Sequence, residues 1–186
     1  AERQCITAPA VVISDQAELK ALFERGELDR DCVVVARFQG PAANGMPELH
    51  QLMPILGVLQ DRGHTVALVT DGRLSGASGK VPAAIHVTPE AEKGGAIGRI
   101  QDGDVISLDV AAGELRVAVD EQILADRPHP DTPMARNTVG RGLFKFSREV
   151  VTDAESGGCT LFEPLVMDDL PQGESTRNVA YEHCAS

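Results

Sequence analysis

Hydrophobic and polar positions along the chain predict short elements of both kinds of secondary structure. Residues 14–26 carry apolar side chains at helical spacing, with Ser14 as N-cap and Gly26 as the terminating residue, and they predict a helix. "CVVVARF" (32–38) and "HTVALVT" (64–70) are rich in β-branched residues, which is typical of buried strands. The first half of the chain therefore alternates helical and extended segments.

Proline and glycine divide the segment between these two strands. "GPAANG" (40–45) indicates a loop, and Pro47 suits the first turn of a helix that ends near Gly63. Apolar residues keep helical spacing throughout this helix. Pro54 lies inside it and predicts a kink or a break.

The second half of the chain is richer in short extended segments. Residues 104–119 alternate apolar and polar positions on both sides of Ala-Ala-Gly, and they predict a hairpin. A short helix is expected after Asp120, followed by the proline-rich linker 126–133 and a further helix near 140–150.

Both ends of the chain lack a clear pattern. The opening "AERQCITAPA" indicates a linker, and the tail from Glu155 is polar, so we expect that tail to be loosely ordered. In between, strands outnumber helices. The expected fold class is α/β, with a compact mixed sheet or partly closed barrel and a few flanking helices.

The composition of the whole chain narrows the possible functions. At 186 residues and 42% hydrophobic residues, the chain fits one soluble globular domain. Its formal net charge of -11 argues against nucleic-acid binding, which requires a basic surface. No apolar run approaches the ~20 residues that cross a membrane. Widely spaced cysteines favour free thiols in a reducing cytosol over disulfides or a zinc site; they are Cys5, Cys32, Cys159 and Cys184.

The segment "VTDGRLSGASGK" (69–80) carries the densest chemistry. Its glycines permit positive φ and close backbone approach, so its N–H groups could converge on an anion. Neither a Walker loop nor a dinucleotide fingerprint fits, because Val81 follows Lys80 and the glycine spacing differs. What remains is a strand-end loop that exposes Ser75 and Ser78. A catalytic loop and a simple polar turn both agree with this pattern.

A second segment with candidate chemistry is "GMPELH" (45–50). Glu48 is expected in the first turn of the predicted helix, where a carboxylate suits the helix dipole. The same position would suit a ligand of a hard cation such as Mg²⁺. His50 is a second polar candidate there. The residues alone leave both readings of Glu48 open.

Residues 67–91, "ALVTDGRLSGASGKVPAAIHVTPEA", resemble the C-terminal signature of the dihydroxy-acid dehydratase/6-phosphogluconate dehydratase family. Residues 38–64 are similar to a second block of that family, and "ANGMPELH" and "KVPAAIH" resemble its 6-phosphogluconate branch. The resemblance covers roughly residues 8–150. It implies that residues 1–150 are the family's C-terminal domain, a swivelling β/β/α unit with a barrel-like sheet, and leaves 151–186 as an unassigned tail. The family's larger N-terminal domain has no counterpart in this sequence.

The resemblance also implies roles for individual residues. Ser75 corresponds to the base that removes the proton α to the substrate carboxylate. Glu48 corresponds to a ligand of Mg²⁺ or a similar divalent cation. Asp71 is expected to order the loop rather than to catalyse. Three further residues are expected to contact substrate: Arg73, Ser78 and Lys80.

For the full-length protein, the resemblance implies dehydration of 6-phospho-D-gluconate to 2-dehydro-3-deoxy-6-phosphogluconate, in the Entner–Doudoroff pathway. It also implies a cytoplasmic homodimer with an iron–sulfur cluster, expected as 4Fe–4S, on the N-terminal domain, since no cysteine here lies in a cluster motif. The expected partners are a phosphorylated sugar acid and that N-terminal domain, and the chain alone is expected to be inactive. Alternatives are a dehydratase of another sugar acid or a dihydroxy acid, a non-catalytic domain that binds an anionic metabolite, and a structural module.

Overall fold

The computed structural model describes residues 5–74, 79–133 and 145–160. The elements follow in the order β1 (Cys5–Ile13), α1 (Gln16–Glu24), β2 (Cys32–Ala36), α2 (Pro41–Asn44), α3 (Leu52–Asp61), β3 (Val66–Thr70), β4 (Ala83–Ala84), β5 (Val105–Asp109), β6 (Glu114–Val117), α4 (Glu121–Asp126) and α5 (Lys145–Val150). Two 3₁₀ turns, Ala91–Lys93 and Ala96–Arg99, lie between β4 and β5.

Six strands form one mixed sheet in the order β4-β3-β2-β1-β5-β6. Strands β1 to β4 run parallel, whereas β5 pairs antiparallel with both β1 and β6. The sheet curls into a half-barrel with a few helices beside it. The expected α/β class is therefore confirmed, and so are the two apolar strands and the hairpin formed by β5 and β6.

Strand β1 lies in the middle of the sheet and joins its parallel and antiparallel parts. Cys5–Pro9 pair with β5, and Ala10–Ile13 pair with β2. Exposed and buried residues alternate in the first half, whereas three of the last four residues are buried, as expected where both faces of a sheet are covered. The expectation of a linker at the start of the chain is wrong from Cys5 onward. Small side chains and Pro9 make this strand hard to recognise from the sequence.

Hydrophobic side chains pack on both faces of the sheet. On one face lie α1 and α3, with a core that includes Val11, Ile13, Leu19, Cys32, Val34, Leu49, Leu52, Leu56, Leu59, Leu68 and Val81. The core on the opposite face includes Ile6, Ala8, Ala10, Val33, Val35, Phe38, Val69, Ala91, Ile97, Ile106 and Leu108. Because neighbouring residues of a strand point to opposite faces, β2 contributes to both cores.

Helix α3 begins later than the sequence predicts. Its first residue is Leu52, and Pro54 is its third residue, where the missing N–H would have no partner within the helix. The expected kink or break is therefore wrong. Glu48 lies before the helix, in an isolated bridge to Arg73, so its expected place in the first helical turn is also wrong. The loop expected at 40–45 contains the one-turn helix α2.

Helix α1 is capped one residue later than predicted. The Asp15 side chain accepts from the N–H of Ala17 at 2.7 Å, while the N–H of Ser14 donates to Oε2 of Glu18 at 3.0 Å. Gly26 follows the helix with φ +73°, as expected for the residue that ends it.

The region after β6 follows the expected order. Helix α4 begins after its cap, Asp120, and α5 confirms the second half of the helix expected at 140–150, whose first half lies outside the described residues. The tail is described only as far as Thr160. Within the described ranges, no helix is both long and apolar enough to span a bilayer.

Candidate active site

Three parallel strands end at the same level of the sheet. Ile13, Ala36 and Thr70 are the last residues of β1, β2 and β3, and they pair in register. The loops that follow therefore leave from one edge, which is where α/β sheets commonly place ligand sites. The segment Asp71–Gly72–Arg73 begins at this edge, immediately after β3.

The carboxylate of Asp71 is fully buried and accepts hydrogen bonds from three backbone amides. Its Oδ1 accepts from Gln39 at 2.9 Å, and its Oδ2 accepts from Phe38 at 3.1 Å and from Ala91 at 2.9 Å. Burial raises the pKa of this carboxyl group, and the three hydrogen bonds oppose the shift. Asp71 thus fastens two other loops to the end of β3, which confirms the expectation that it orders the loop.

A second buried carboxylate, Glu90, holds the first turn of α2. Its two oxygens accept from the N–H groups of Ala42 and Ala43, each at 3.1 Å, and a Cβ atom at Gly40 would overlap the Glu90 side chain. Burial raises the pKa of Glu90, and the charge of Asp71 acts in the same direction. No pattern in the sequence indicates this role, because the bonded residues are 47 and 48 positions away.

Gly72 has no room for a side chain. A Cβ atom at this position would lie 2.7 Å from Cβ of Gln39 and 3.2 Å from Cδ1 of Leu49. Its N–H donates to Oγ1 of Thr70 at 2.9 Å. Gly72 therefore lets the end of β3 pack closely against the loop after β2.

Glu48 and Arg73 meet through both backbone and side chains. They form a parallel bridge, and Nη1 of Arg73 is 3.6 Å from Oε2 of Glu48. Nε of Arg73 also donates to the carbonyl of Met46 at 2.8 Å. The Arg73 side chain is 45% exposed and that of Glu48 is 25% exposed. The structure thus brings these two expected site residues together at a surface that solvent can reach.

Every non-glycine residue with positive φ in the described part of the chain contacts the same short segment, Asp71–Arg73. The residues are Phe38, Met46 and His86, with φ of 60°, 57° and 56°. The N–H of Phe38 donates to Asp71, the carbonyl of Met46 accepts from Arg73, and the N–H of His86 donates to the Gly72 carbonyl at 2.9 Å. Backbone in this region is unfavourable for side-chain-bearing residues and recurs at functional sites. Sequence reasoning missed all three positions.

Lys80 lies at a different place from the Glu48–Arg73 pair. Its Nζ is 2.7 Å from Oδ1 of Asp61, the last residue of α3, and its carbonyl accepts from the side chain of Gln60. Glu48 precedes the other end of this helix, whose ten residues span about 15 Å. The expected contact between Lys80 and substrate stays a prediction.

Ser75 and Ser78 lie outside the described residues, so their expected roles as base and substrate contact stay predictions. The structure fixes the two ends of the loop that carries them. Leu74 packs against the core that contains α1 and α3, and Gly79 has φ +70°. The loop therefore starts at the edge that holds Arg73 and returns toward Lys80.

The described residues offer at most part of a metal site. Across the described ranges, no three His, Cys, Asp or Glu side chains are grouped so that they could hold a metal ion. Glu48 alone fits as one oxygen ligand of a hard cation whose other ligands come from elsewhere.

The described cysteines do not fit an iron–sulfur cluster. Cys5 lies on β1, Cys32 on β2 and Cys159 after α5. Cys32 is completely buried, which raises the pKa of its thiol to about 11, whereas cluster iron binds thiolates.

The fold and its loops define an α/β domain with a polar site at one edge of the sheet. Residues 1–158 match the family model described as dihydroxy-acid/6-phosphogluconate dehydratase, C-terminal. The chain belongs to this family and corresponds to its C-terminal region. The match extends beyond the 8–150 region over which the sequence resemblance was apparent.

Relatives from several bacteria are similar to most of this chain. Phosphogluconate dehydratase of Pseudomonas aeruginosa is 56% identical over 165 residues, and that of Escherichia coli K12 is 58% identical over 164 residues. Dihydroxy-acid dehydratase of Pelobacter propionicus is 38% identical over 158 residues. These alignments cover 88%, 87% and 81% of the chain but only 27% of each relative. The chain thus spans about a quarter of the length of the relatives it matches.

Proposed function

We propose that this chain is the C-terminal part of a hydro-lyase that dehydrates 6-phospho-D-gluconate to 2-dehydro-3-deoxy-6-phosphogluconate. One observation carries the choice of substrate. Relatives named phosphogluconate dehydratase are 56% and 58% identical to the chain, against 38% for a relative named dihydroxy-acid dehydratase. This difference supports the sugar-acid branch, in which the reaction serves the Entner–Doudoroff pathway.

The reaction requires a base for the proton on C2 and a site that orients the carboxylate and the two hydroxyl groups. We assign the base to Ser75, which lies two residues after Arg73 in the chain. Arg73 is held by the Met46 carbonyl and by Glu48, so its guanidinium is oriented before substrate arrives. Because the Arg73 side chain is partly exposed, its guanidinium can also bind a carboxylate or phosphate oxygen. Ser78 and Lys80 are further proposed substrate contacts.

Glu48 would hold Mg²⁺ or a similar cation together with ligands outside the described residues. Such a cation, when bound, would supply positive charge beside the substrate carboxylate. The chain's own contribution is to fix the backbone of Glu48 through its bridge to Arg73 and to hold its carboxylate 3.6 Å from the Arg73 guanidinium. We place the ligands of an iron–sulfur cluster on another part of the full-length protein. A homodimer and a cytosolic location stay predictions.

A comparison of substrates tests the proposal. The full-length protein that carries this chain would be assayed with 6-phosphogluconate, with unphosphorylated gluconate and with 2,3-dihydroxyisovalerate, following the keto acid formed. We expect 6-phosphogluconate to have the highest kcat/KM. A preference for either other acid would support a different dehydratase of the same family. Binding of 6-phosphogluconate without turnover by the full-length protein would favour the metabolite-binding alternative.

A further inference from the structure

We propose that His86 is a proton-transfer residue of this site, which delivers the proton that C3 of the substrate gains after water has left. The proposal rests on the proposed dehydratase function and deepens it. The expected roles at this edge include a base and a metal ligand but no proton donor.

The backbone of His86 is fixed beside the segment that leads into the Ser75 loop. Its N–H donates to the carbonyl of Gly72 at 2.9 Å, and the N–H of Val87 donates to the carbonyl of Thr70 at 3.1 Å. These bonds tie the residues that follow β4 to the end of β3. They place His86 at the same edge of the sheet as the Glu48–Arg73 pair.

The conformation of His86 is one that packing alone does not explain. Its φ of 56° is unfavourable for a residue that has a side chain. The side chain is exposed, so no burial of the ring offsets this cost. Among the described residues, its imidazole has neither a hydrogen-bond nor an ion-pair partner. An imidazole that solvent can reach, on a residue whose backbone conformation is strained, is available for proton transfer at the edge of the site.

The buried carboxyl groups at this edge are committed to structure. The carboxylates of Asp71 and Glu90 are buried against backbone amides, and Arg73 does not release its proton. His50 is exposed as well, but Gln16 ties its turn to α1 by bonding the backbone on both sides of it, whereas His86 bonds the 71–73 segment itself. His86 is therefore the group best placed to give up a proton beside the 71–73 segment.

His86 acts in the last step of the reaction, after the C3–O bond has broken. A base takes the C2 proton, the C2–H electron pair forms the C2=C3 double bond, and the C3–O bond breaks as hydroxide leaves. That hydroxide and one proton make the water that is lost. The resulting enol then loses its hydroxyl proton while C3 accepts a proton from the His86 imidazolium, which gives the keto acid. The imidazole regains its proton from solvent.

Dehydration in D₂O tests this assignment, because the donor determines which face of C3 receives deuterium. The full-length protein would convert 6-phosphogluconate in D₂O, and the product would be examined early by proton NMR. The wild type is expected to give one C3-deuterated epimer. In His86→Asn, whose asparagine tolerates positive φ, we expect about equal amounts of both epimers and a kcat lower by about tenfold or more. His64→Asn, at the opposite end of α3, is the matched control and should keep one epimer.

A second variant guards against a purely structural effect. His86→Gly also suits the backbone conformation, and it leaves space in which added imidazole should restore a single epimer. The role of His86 would be overturned if both His86 variants still gave one epimer. It would also be overturned if His50→Asn lost the preference for one face of C3 while His86→Asn kept it. If the unaltered full-length protein forms no keto acid from any sugar acid, the proposed function itself is wrong.

Discussion

At the scale of single residues, the segment Asp71–Gly72–Arg73 shows how much of the site the sequence could predict. Asp71 was expected to order the loop, and its three amide partners confirm it. The need for glycine at position 72 was not predictable, because Gln39 and Leu49 fill that space and are distant in sequence. The contact of Arg73 with Glu48 was likewise hidden, since each residue appeared in a separate motif.

Gly72→Ala should lower the free energy of unfolding by about 1–3 kcal/mol, because the added methyl group meets Gln39 and Leu49 in a packed region. Gly57→Ala is the matched control, since Gly57 lies within α3 with open space around its missing Cβ. That change should stabilise the protein by about 0.5–1 kcal/mol. Urea unfolding of both variants measures the difference. Equal effects would contradict the packing assigned to Gly72.

Ser75→Ala should lower kcat by about 10² to 10⁴ in the full-length protein, because it removes the proposed base. Ser78→Ala should cost less and act mainly on KM, as expected for a binding contact. Steady-state kinetics with 6-phosphogluconate, together with metal analysis, would check both variants. A Ser75→Ala protein that keeps more than about a tenth of the wild-type kcat would show that another group is the base.

Glu48→Gln should weaken binding of the divalent cation and lower activity with it, because it removes one charged oxygen ligand. Its fold should be retained, since the backbone bridge to Arg73 does not need the charge. Glu24→Gln removes a carboxylate of an exposed ion pair with Lys20 and serves as control. If the metal content of Glu48→Gln were unchanged, the Glu48 carboxylate would not be a metal ligand and would serve only as a partner of Arg73.

At the scale of elements, patterns that depend on neighbours in sequence were predictable, and those that depend on distant contacts were not. Strands β2 and β3 are continuous apolar runs that the sequence reveals directly. The first strand was missed, because its antiparallel half mixes small, polar and apolar residues, includes Pro9, and has partners that come about 100 residues later. The start of α3 was misplaced, because the bridge between Glu48 and Arg73 keeps Glu48 out of the helix.

The buried carboxyl groups that tie these loops together should make stability depend on pH. The pKa of Asp71 and that of Glu90 are raised, mainly by burial, so the folded protein holds these protons more strongly than the unfolded chain. The free energy of unfolding should therefore fall as pH rises from about 4, the ordinary carboxyl pKa, through the raised values. Glu90→Gln should flatten this fall, as measured by urea unfolding between about pH 4 and pH 7.

Asp104 provides a contrast of opposite sign within the same titration. A hydrogen bond from Arg127 lowers the pKa of Asp104, so its contribution to stability is present above the ordinary carboxyl pKa and is lost as pH falls through the lowered value. Asp104→Asn should therefore remove stability at neutral pH and leave less to lose in acid.

For Glu90, the outcome that would contradict the assignment is a fall in the free energy of unfolding toward neutral pH that is the same in the wild type and in Glu90→Gln.

At the scale of the whole molecule, the described region holds two hydrophobic cores but only one edge of a catalytic site. The cores lie on the two faces of one sheet, which is enough burial for a domain of this size to fold. The site, by contrast, contains one proposed carboxylate ligand, Glu48, and within the described residues no three His, Cys, Asp or Glu side chains are grouped to hold a metal ion. Folding and catalysis are therefore expected to separate when this chain is produced alone.

The isolated chain should unfold cooperatively, show no iron–sulfur absorbance and fail to dehydrate 6-phosphogluconate. Adding the remaining part of the full-length dehydratase in trans should restore turnover, because the Ser75 loop and Glu48 would then meet the other ligands. Absorbance spectra, calorimetry and a keto-acid assay measure the three properties. Turnover by the isolated chain would contradict our proposal that this chain carries only part of the catalytic site.

The place of β1 in the sheet also has a consequence for synthesis on the ribosome. Its second half can pair with β2 soon after both are made, whereas Cys5 must wait for Asp109, about 100 residues later. At about 5–20 residues per second, that delay is on the order of 5–20 s. During this interval, Cys5–Pro9 form an open strand edge that could pair with another nascent chain. Pro9 lacks an N–H and therefore makes that pairing unfavourable, so the residue that helps to hide this strand in the sequence also protects it until β5 arrives.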